Sequence, residues 1–317
     1  MKPFDGVRRA IFPVLLALLA FAIGIALGGG PLQDEDDGNS SAALQSDNAE
    51  LRDHVEGLRS QAVFDEGVNA SLSDRLLAGQ LPQRNVTVVV LPGVSDETVK
   101  GTEQALEQAG AQVAVVARLD EDLINPGKKT YVDSVVTASI KGADDLDKYA
   151  DESTYSRAGA LLARAYAGHG SNTEIDDEAT KIDSELQGAR LVSVDGSPLR
   201  RGTFVVVLAP GTHGSDSYTT AQMVISHDLV SSLVRGSDAT VVASTPTSSS
   251  TGGLIDVLTS DKTLEGERLS TVNVIDSAAG QTAMVFALAG AATSAPGHYG
   301  VDGGEVVLPP GLAQPGG

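Results

Sequence analysis

The chain has no cysteine and no tryptophan in its 317 residues. Without thiols there are no disulfides, no thiolate metal sites and no cysteine nucleophile. Soft-metal ligands are scarce too, with three methionines and five histidines. Cations are the minority charge. Lys and Arg number 22 against 42 Asp and Glu, a net charge of −20. Phosphate backbones repel such a surface, which argues against nucleic acid as a partner. Long apolar runs are almost absent: after residue 30 no stretch is apolar enough to cross a membrane.

The one long run spans residues 10–30 (AIFPVLLALLAFAIGIALGGG), and its length matches the roughly 20 residues that a bilayer-spanning helix needs. Lys2, Arg8 and Arg9 precede it, and Asp34, Glu35, Asp36 and Asp37 follow. Basic flanks stay cytoplasmic, so residues 1–9 are expected inside and the rest outside a cell membrane crossed once. The competing reading is a cleaved signal peptide, with small residues at Ala26-Leu27-Gly28. The run is long for a signal core of about 7–15 residues, so the anchor is the expectation.

Residues 31–40 read as a polar linker and 41–80 as a helical, coiled-coil segment. Leu44, Leu51 and Leu58 recur every seven residues, with Asn48, Val55 and Ala62 between them on the same seam. That places leucine at d and a polar Asn at one a position, a device that fixes register. The pattern is short for a coiled coil, and Gly57 and Gly67 weaken the helix. A helix packed on its own domain remains the alternative. The seam predicts self-association or a protein partner.

Residues 85–308 read as an α/β domain. VTVVVL (86–91) and TFVVVL (203–208) are continuous β-branched runs, as in strands buried on both faces. A helix at 96–109, capped by Ser95 and ended by Gly110, joins the first strand to QVAVVA (112–117). Further strands are expected at 189–194, 240–243, 272–275 and 305–308. Helices are expected at 131–140, 144–149, 155–167, 174–187, 217–234, 254–260 and 281–289. The alternation predicts a Rossmann-like, doubly wound, mostly parallel sheet. The Pro/Gly-rich residues 309–317 read as a disordered tail.

Chemistry-bearing motifs are sparse. The first strand leads into Pro92-Gly93-Val94-Ser95, not G-x-G-x-x-G, and no Walker loop occurs. His213, Ser215 and Asp216 follow a strand but lack a G-x-S-x-G elbow, so they read as a helix start. No catalytic residue and no cofactor are expected. Met223 and His227 lie four apart, so one helical face offers both to a soft metal, against the commoner reading of Met223 as core. Gly297, His298, Tyr299 and Gly300 suggest a tight structured loop, with His298 a further metal candidate.

Taken in order, these pieces resemble the actinobacterial copper-transporter family typified by MctB of mycobacteria, also called SteB-like. The resemblance rests on the basic-then-apolar start ending GIALGGG, the leucine heptad, and VTVVVL followed by EQAGAQVAVVARL. GQTAMVFAL (280–288), GHYG (297–300) and a closing valine-rich strand complete it. It implies a role in copper transport or homeostasis at the cell envelope, copper being the transported or bound ion. A second view of the family implies a membrane partner of a SteA-like protein, acting as a coiled-coil scaffold in control of cell-wall hydrolases. A channel needs a closed barrel or several membrane helices. One helix and a soluble α/β body therefore imply that any pore comes from oligomerised helices or a partner.

Overall fold

The computed structural model describes residues 37–312, apart from 142, 197–198 and 294. The expected cytoplasmic stretch 1–9, the membrane helix at 10–30 and residues 313–317 of the tail lie outside the described residues, as does the side chain of Leu44.

The chain divides into two compact units, residues 1–64 and 65–317. A 41-residue helix, α1 (Asp37–Leu77), crosses the boundary. At 1.5 Å per residue it is about 60 Å long. In the first unit its apolar side chains face water: Leu51 is 62% exposed, Val55 42% and Leu58 53%. In the second unit its last turns bury Ser73 and Leu77, and the Ser73 hydroxyl lies 3.1 Å from that of Thr282.

The body of the second unit is one eight-stranded sheet. Its strands are β1 (Asn85–Val90), β2 (Gln112–Leu119), β3 (Val192–Val194), β4 (Phe204–Leu208), β5 (Ala239–Ala243), β6 (Leu269–Val272), β7 (His298–Asp302) and β8 (Glu305–Val307). They lie in the order β3-β2-β1-β4-β5-β6-β7-β8. The six central strands are parallel, and β3 and β8 close the two edges antiparallel. The helices that cover the sheet are α2 (Asp96–Gln108), α3 (Glu121–Ile124), α4 (Lys129–Ile140), α5 (Thr154–Tyr166), α6 (Asp177–Gly188), α7 (Ser217–Arg235), α8 (Leu254–Ser260) and α9 (Ala278–Ala292). The protein is therefore a mixed α/β structure on a mostly parallel sheet.

Continuous valine runs follow from cover on both faces. Val86, Val88, Val90, Val206 and Leu208 pack with Val99 of α2, Met284 of α9 and Leu77 of α1. Val89, Val205, Val207 and Val242 point the other way, to Leu161 of α5, Ile182 of α6 and Leu229 of α7. Thr87 is the polar exception inside β1. Its hydroxyl donates to Tyr166 O at 2.6 Å and accepts from Gly202 N at 3.0 Å, so nothing polar is left unpaired there. The α5–α7 contact is close because Gly159 has no side chain: a β-carbon there would stand 2.6 Å from Leu229 O.

Several elements differ from the sequence expectation, among them β3, which begins at Val192 rather than Ala189, and α3, which was not expected. β6 begins at Leu269 rather than Val272, and residues 273–275 form its exit. The expected helix at 144–149 is a 3-10 turn. The GHYG segment opens β7 rather than a loop. Its Gly300 has φ +123°, and a β-carbon would lie 1.9 Å from Asn273 Oδ1. With no side chain in the way, the Asn273 amide clamps Val301. It accepts from Val301 N at 2.9 Å and donates to Val301 O at 2.8 Å.

Candidate ligand crevice

The sheet reverses its winding between β1 and β4. From β1 the chain moves to β2 on one side, and β4 later lands on the other. At such a switch point the connections leave in opposite directions and open a crevice at the carboxyl ends of the strands. Here the exits are Leu91-Pro92-Gly93 after β1 and Ala209-Pro210-Gly211 after β4. A depression lies on either side of them.

The larger depression has a volume of about 730 Å³ and lies between the starts of α2 and α9. Two of its helix-start donors, one at α2 and one at α9, are already used. Thr98 N donates to Ser95 Oγ at 3.1 Å, and Thr98 Oγ1 donates to Asp276 Oδ1 at 2.9 Å. At α9, Ala278 N donates to Glu66 Oε1 of α1 at 2.7 Å. A carboxylate placed there also meets the positive end of the helix. The start of α9, a kind of place where helices bind phosphate, is thus occupied by the protein's own Glu66. Lys100 is the one cation among its lining residues.

The smaller depression, about 390 Å³, lies on the opposite face between α3 and α7. Its base is apolar, made by Leu91, Ile124, Met223 and Leu254. Glu121 and Asp122 stand at its mouth with Tyr218 and Gln222.

The sequence-predicted site residues are scattered. Met223 is only 8% exposed and packs in the core that includes Leu229. His227 faces acids instead: Nε2 is 2.9 Å from Asp261 Oδ2 and Nδ1 is 3.4 Å from Asp228 Oδ1. The hydrogen bond with Asp228, helped by Asp261, raises its pKa above the ordinary imidazole value against the pull of burial. A metal ligand needs a neutral ring with one nitrogen free, and both nitrogens of His227 face carboxylates. His298 leans on Thr271, with Nδ1 3.0 Å from Oγ1. Desolvation of the ring holds its pKa below the ordinary value, although the residue as a whole is exposed. Tyr299 folds its ring back over Gly297, where a β-carbon would meet the hydroxyl at 2.4 Å. Among the described residues no group of three or more His, Cys, Asp or Glu side chains is arranged to hold a metal ion.

The 213–216 segment starts α7. Asp216 accepts from Tyr218 N at 2.8 Å and Thr219 N at 2.9 Å, and Thr219 completes a capping box. These bonds, the one from Thr219 N foremost, hold the Asp216 carboxyl below its usual range. His213 pairs by backbone with Gly253. Of the heptad seam, Leu51, Val55 and Leu58 are exposed along α1, and Asn48 lies on the same helix.

Sequence reasoning missed the crevice itself. Its walls come from segments far apart in the chain, and only the two Pro-Gly strand exits, at 92–93 and 210–211, hinted at it.

Among the described residues no helix is long and apolar enough to cross a membrane. No curated protein sequence matches the chain. The profile of a family described as copper transport outer membrane protein, MctB, matches residues 8–310. That match runs from the basic N-terminus through the whole α/β body, so the chain belongs to the MctB family.

Proposed function

We propose that the protein serves copper transport or copper homeostasis at the cell envelope as a membrane-held body that works with partners, not as a pore by itself. The family match over residues 8–310 supports the copper role. The open sheet supports the rest. Its strands are three to eight residues long, and β1, β4, β5 and β6 are buried on both faces. Barrel strands that span a bilayer need about 9–11 residues with a lipid-facing side. The apolar run at 10–30 supplies the anchor in this reading, with the bulk of the chain outside the cytoplasm. A strain lacking the protein is expected to accumulate copper and to lose copper tolerance. The full chain restores both, whereas a chain lacking residues 10–30 does not. Normal copper content and tolerance in the deletion strain would refute the copper role.

A second reading is favoured by one observation, the water-facing Leu51, Val55 and Leu58 of α1. In this reading the seam pairs with a second copy or with a SteA-like regulator of cell-wall hydrolases, and the protein is a scaffold without catalytic activity. Leu51→Cys in the membrane-bound chain is expected to form a disulfide-linked dimer under mild oxidation. Absence of that dimer, together with normal septation in the deletion strain, would remove the scaffold reading.

A further inference from the structure

The smaller depression has features that neither copper handling nor a coiled-coil seam uses. Its wall includes Ser226, which is only 1% exposed and whose hydroxyl has no hydrogen-bond partner in the protein. Helical hydroxyls often bond back to the carbonyl four residues earlier. Thr220 does so on the same helix, donating to Asp216 O at 2.7 Å, but Ser226 does not. A buried hydroxyl left unpaired calls for an explanation, and a ligand atom is one. Tyr218 and Gln222 precede Ser226 at four-residue intervals, so all three share one face of α7. Across from them stands Glu121. Its neighbour Asp122 is paired with Lys128 Nζ at 3.3 Å, whereas no cation among the described residues pairs with Glu121. No Lys, Arg or His lines the depression.

We propose that this depression binds a small organic cation with an ammonium head, an apolar body and a distal hydroxyl. The ammonium meets the Glu121 carboxylate at the mouth. The body lies on Met223 and Leu254, and the hydroxyl pairs with Ser226. The volume of about 390 Å³ falls in the range of small-molecule pockets, roughly 300–1,000 Å³. An anion of the same shape is repelled by the unpaired Glu121 carboxylate.

Tyramine is a suitable probe because it carries an ammonium, a ring and a hydroxyl in line. Methionine-methyl NMR of the full chain reads its binding. Met223 lines the depression, while Met284 is fully buried in the opposite core and reports the fold. Tyramine is expected to shift the Met223 methyl saturably and leave Met284 in place. The anion 3-(4-hydroxyphenyl)propionate is expected to shift neither. Glu121→Gln should weaken tyramine about tenfold or more, the loss of one charge-assisted contact. Ser226→Ala should weaken tyramine but not phenethylamine, which lacks the hydroxyl. The proposal is overturned if millimolar tyramine leaves Met223 unmoved, if the propionate binds as well, or if either variant keeps full tyramine affinity. It is likewise overturned if Met284 moves with Met223, since the response is then global. None of these results bears on the copper role.

Discussion

Gly159 tests whether the α5–α7 contact is as close as it is built. An alanine there would put its β-carbon 2.6 Å from Leu229 O and 2.7 Å from Ser232 Cβ. Nonbonded carbon atoms prefer about 3.5–4.0 Å, so the helices must part by roughly 1 Å. Leu229 O is backbone and cannot swing aside. Parting also strains the bond from Ser232 Oγ to Ser156 O, 2.9 Å long. Overpacking of this kind costs about 1–3 kcal/mol, and a rigid neighbour puts this case in the upper half. Against it stands the helix preference for alanine over glycine, up to about 1 kcal/mol. Gly188 of α6 is the control, because a β-carbon there meets nothing within 4 Å. Gly188 is the last residue of α6, so its gain in helix propensity is no larger than that at Gly159 in the interior of α5. The difference between Gly159→Ala and Gly188→Ala in urea unfolding of the full chain therefore sets a floor on the packing cost, about 1–3 kcal/mol. In a protein of this size that separates the Tm values by several degrees. Equal shifts in the two variants, or a Gly159→Ala protein more stable than the parent, would refute the close contact.

Other expectations follow from single contacts. The His227 imidazolium gains from Asp228 and Asp261 only when folded, so its folded pKa stands above the ordinary 6.5. Its contribution is full below that value and is lost as pH rises through the raised one. Asp228 and Asp261 are held below the ordinary 3.8, Asp228 chiefly by His227 and Asp261 by the Thr263 N–H against burial, so theirs is lost as pH falls through the lowered values. His227→Gln should therefore destabilise most between pH 3.8 and 6.5, by about 1–2 kcal/mol, with the effect fading at alkaline pH. A pH-independent loss in urea titrations would contradict this. Thr87→Val keeps the shape of β1 and removes the hydroxyl between Tyr166 O and Gly202 N, a cost of about 1 kcal/mol measurable by the same titrations. Gly300→Ala combines a disfavoured φ, about 1–3 kcal/mol, with loss of the Asn273 clamp. Faster hydrogen exchange at the Val301 amide is the expected sign, and unchanged exchange would argue against the clamp.

The central strands were legible because their chemistry is unambiguous. A parallel strand buried on both faces must be apolar at every position, and VTVVVL and TFVVVL are nearly so. β6 was misplaced for the converse reason. Its residues Ser270 and Thr271 look like loop, yet both are buried and paired. Ser270 Oγ accepts from Gly297 N at 3.1 Å, and Thr271 Oγ1 meets His298 Nδ1. The β-branched letters at 272–275 looked like strand, but Asn273 is spent on holding Val301. Glycines hid β7, since Gly300 reads as a loop signal and serves as room for an amide. The antiparallel edge β3 lies within the strand expected at 189–194 but is only three residues long, because residues 189–191 are spent leaving α6. The crevice was illegible because α3, α7 and the exits of β1 and β4 meet only after the sheet forms. What the sequence could show was the absence of a phosphate loop at the same place.

β1 lies at the middle of the sheet but is made early. Its β2 neighbour follows within one helix. Its other neighbour, β4, waits until the chain from Leu91 to Thr203 has been delivered. Through that interval a valine-rich flank with free N–H and C=O groups has no mate, and such a flank templates wrong pairing. Parallel partners far apart in sequence also join slowly. For a chain that emerges N-terminus first, yield is then governed by how fast Leu208 arrives, and by whatever shields β1 until it does, more than by the stability of the finished fold.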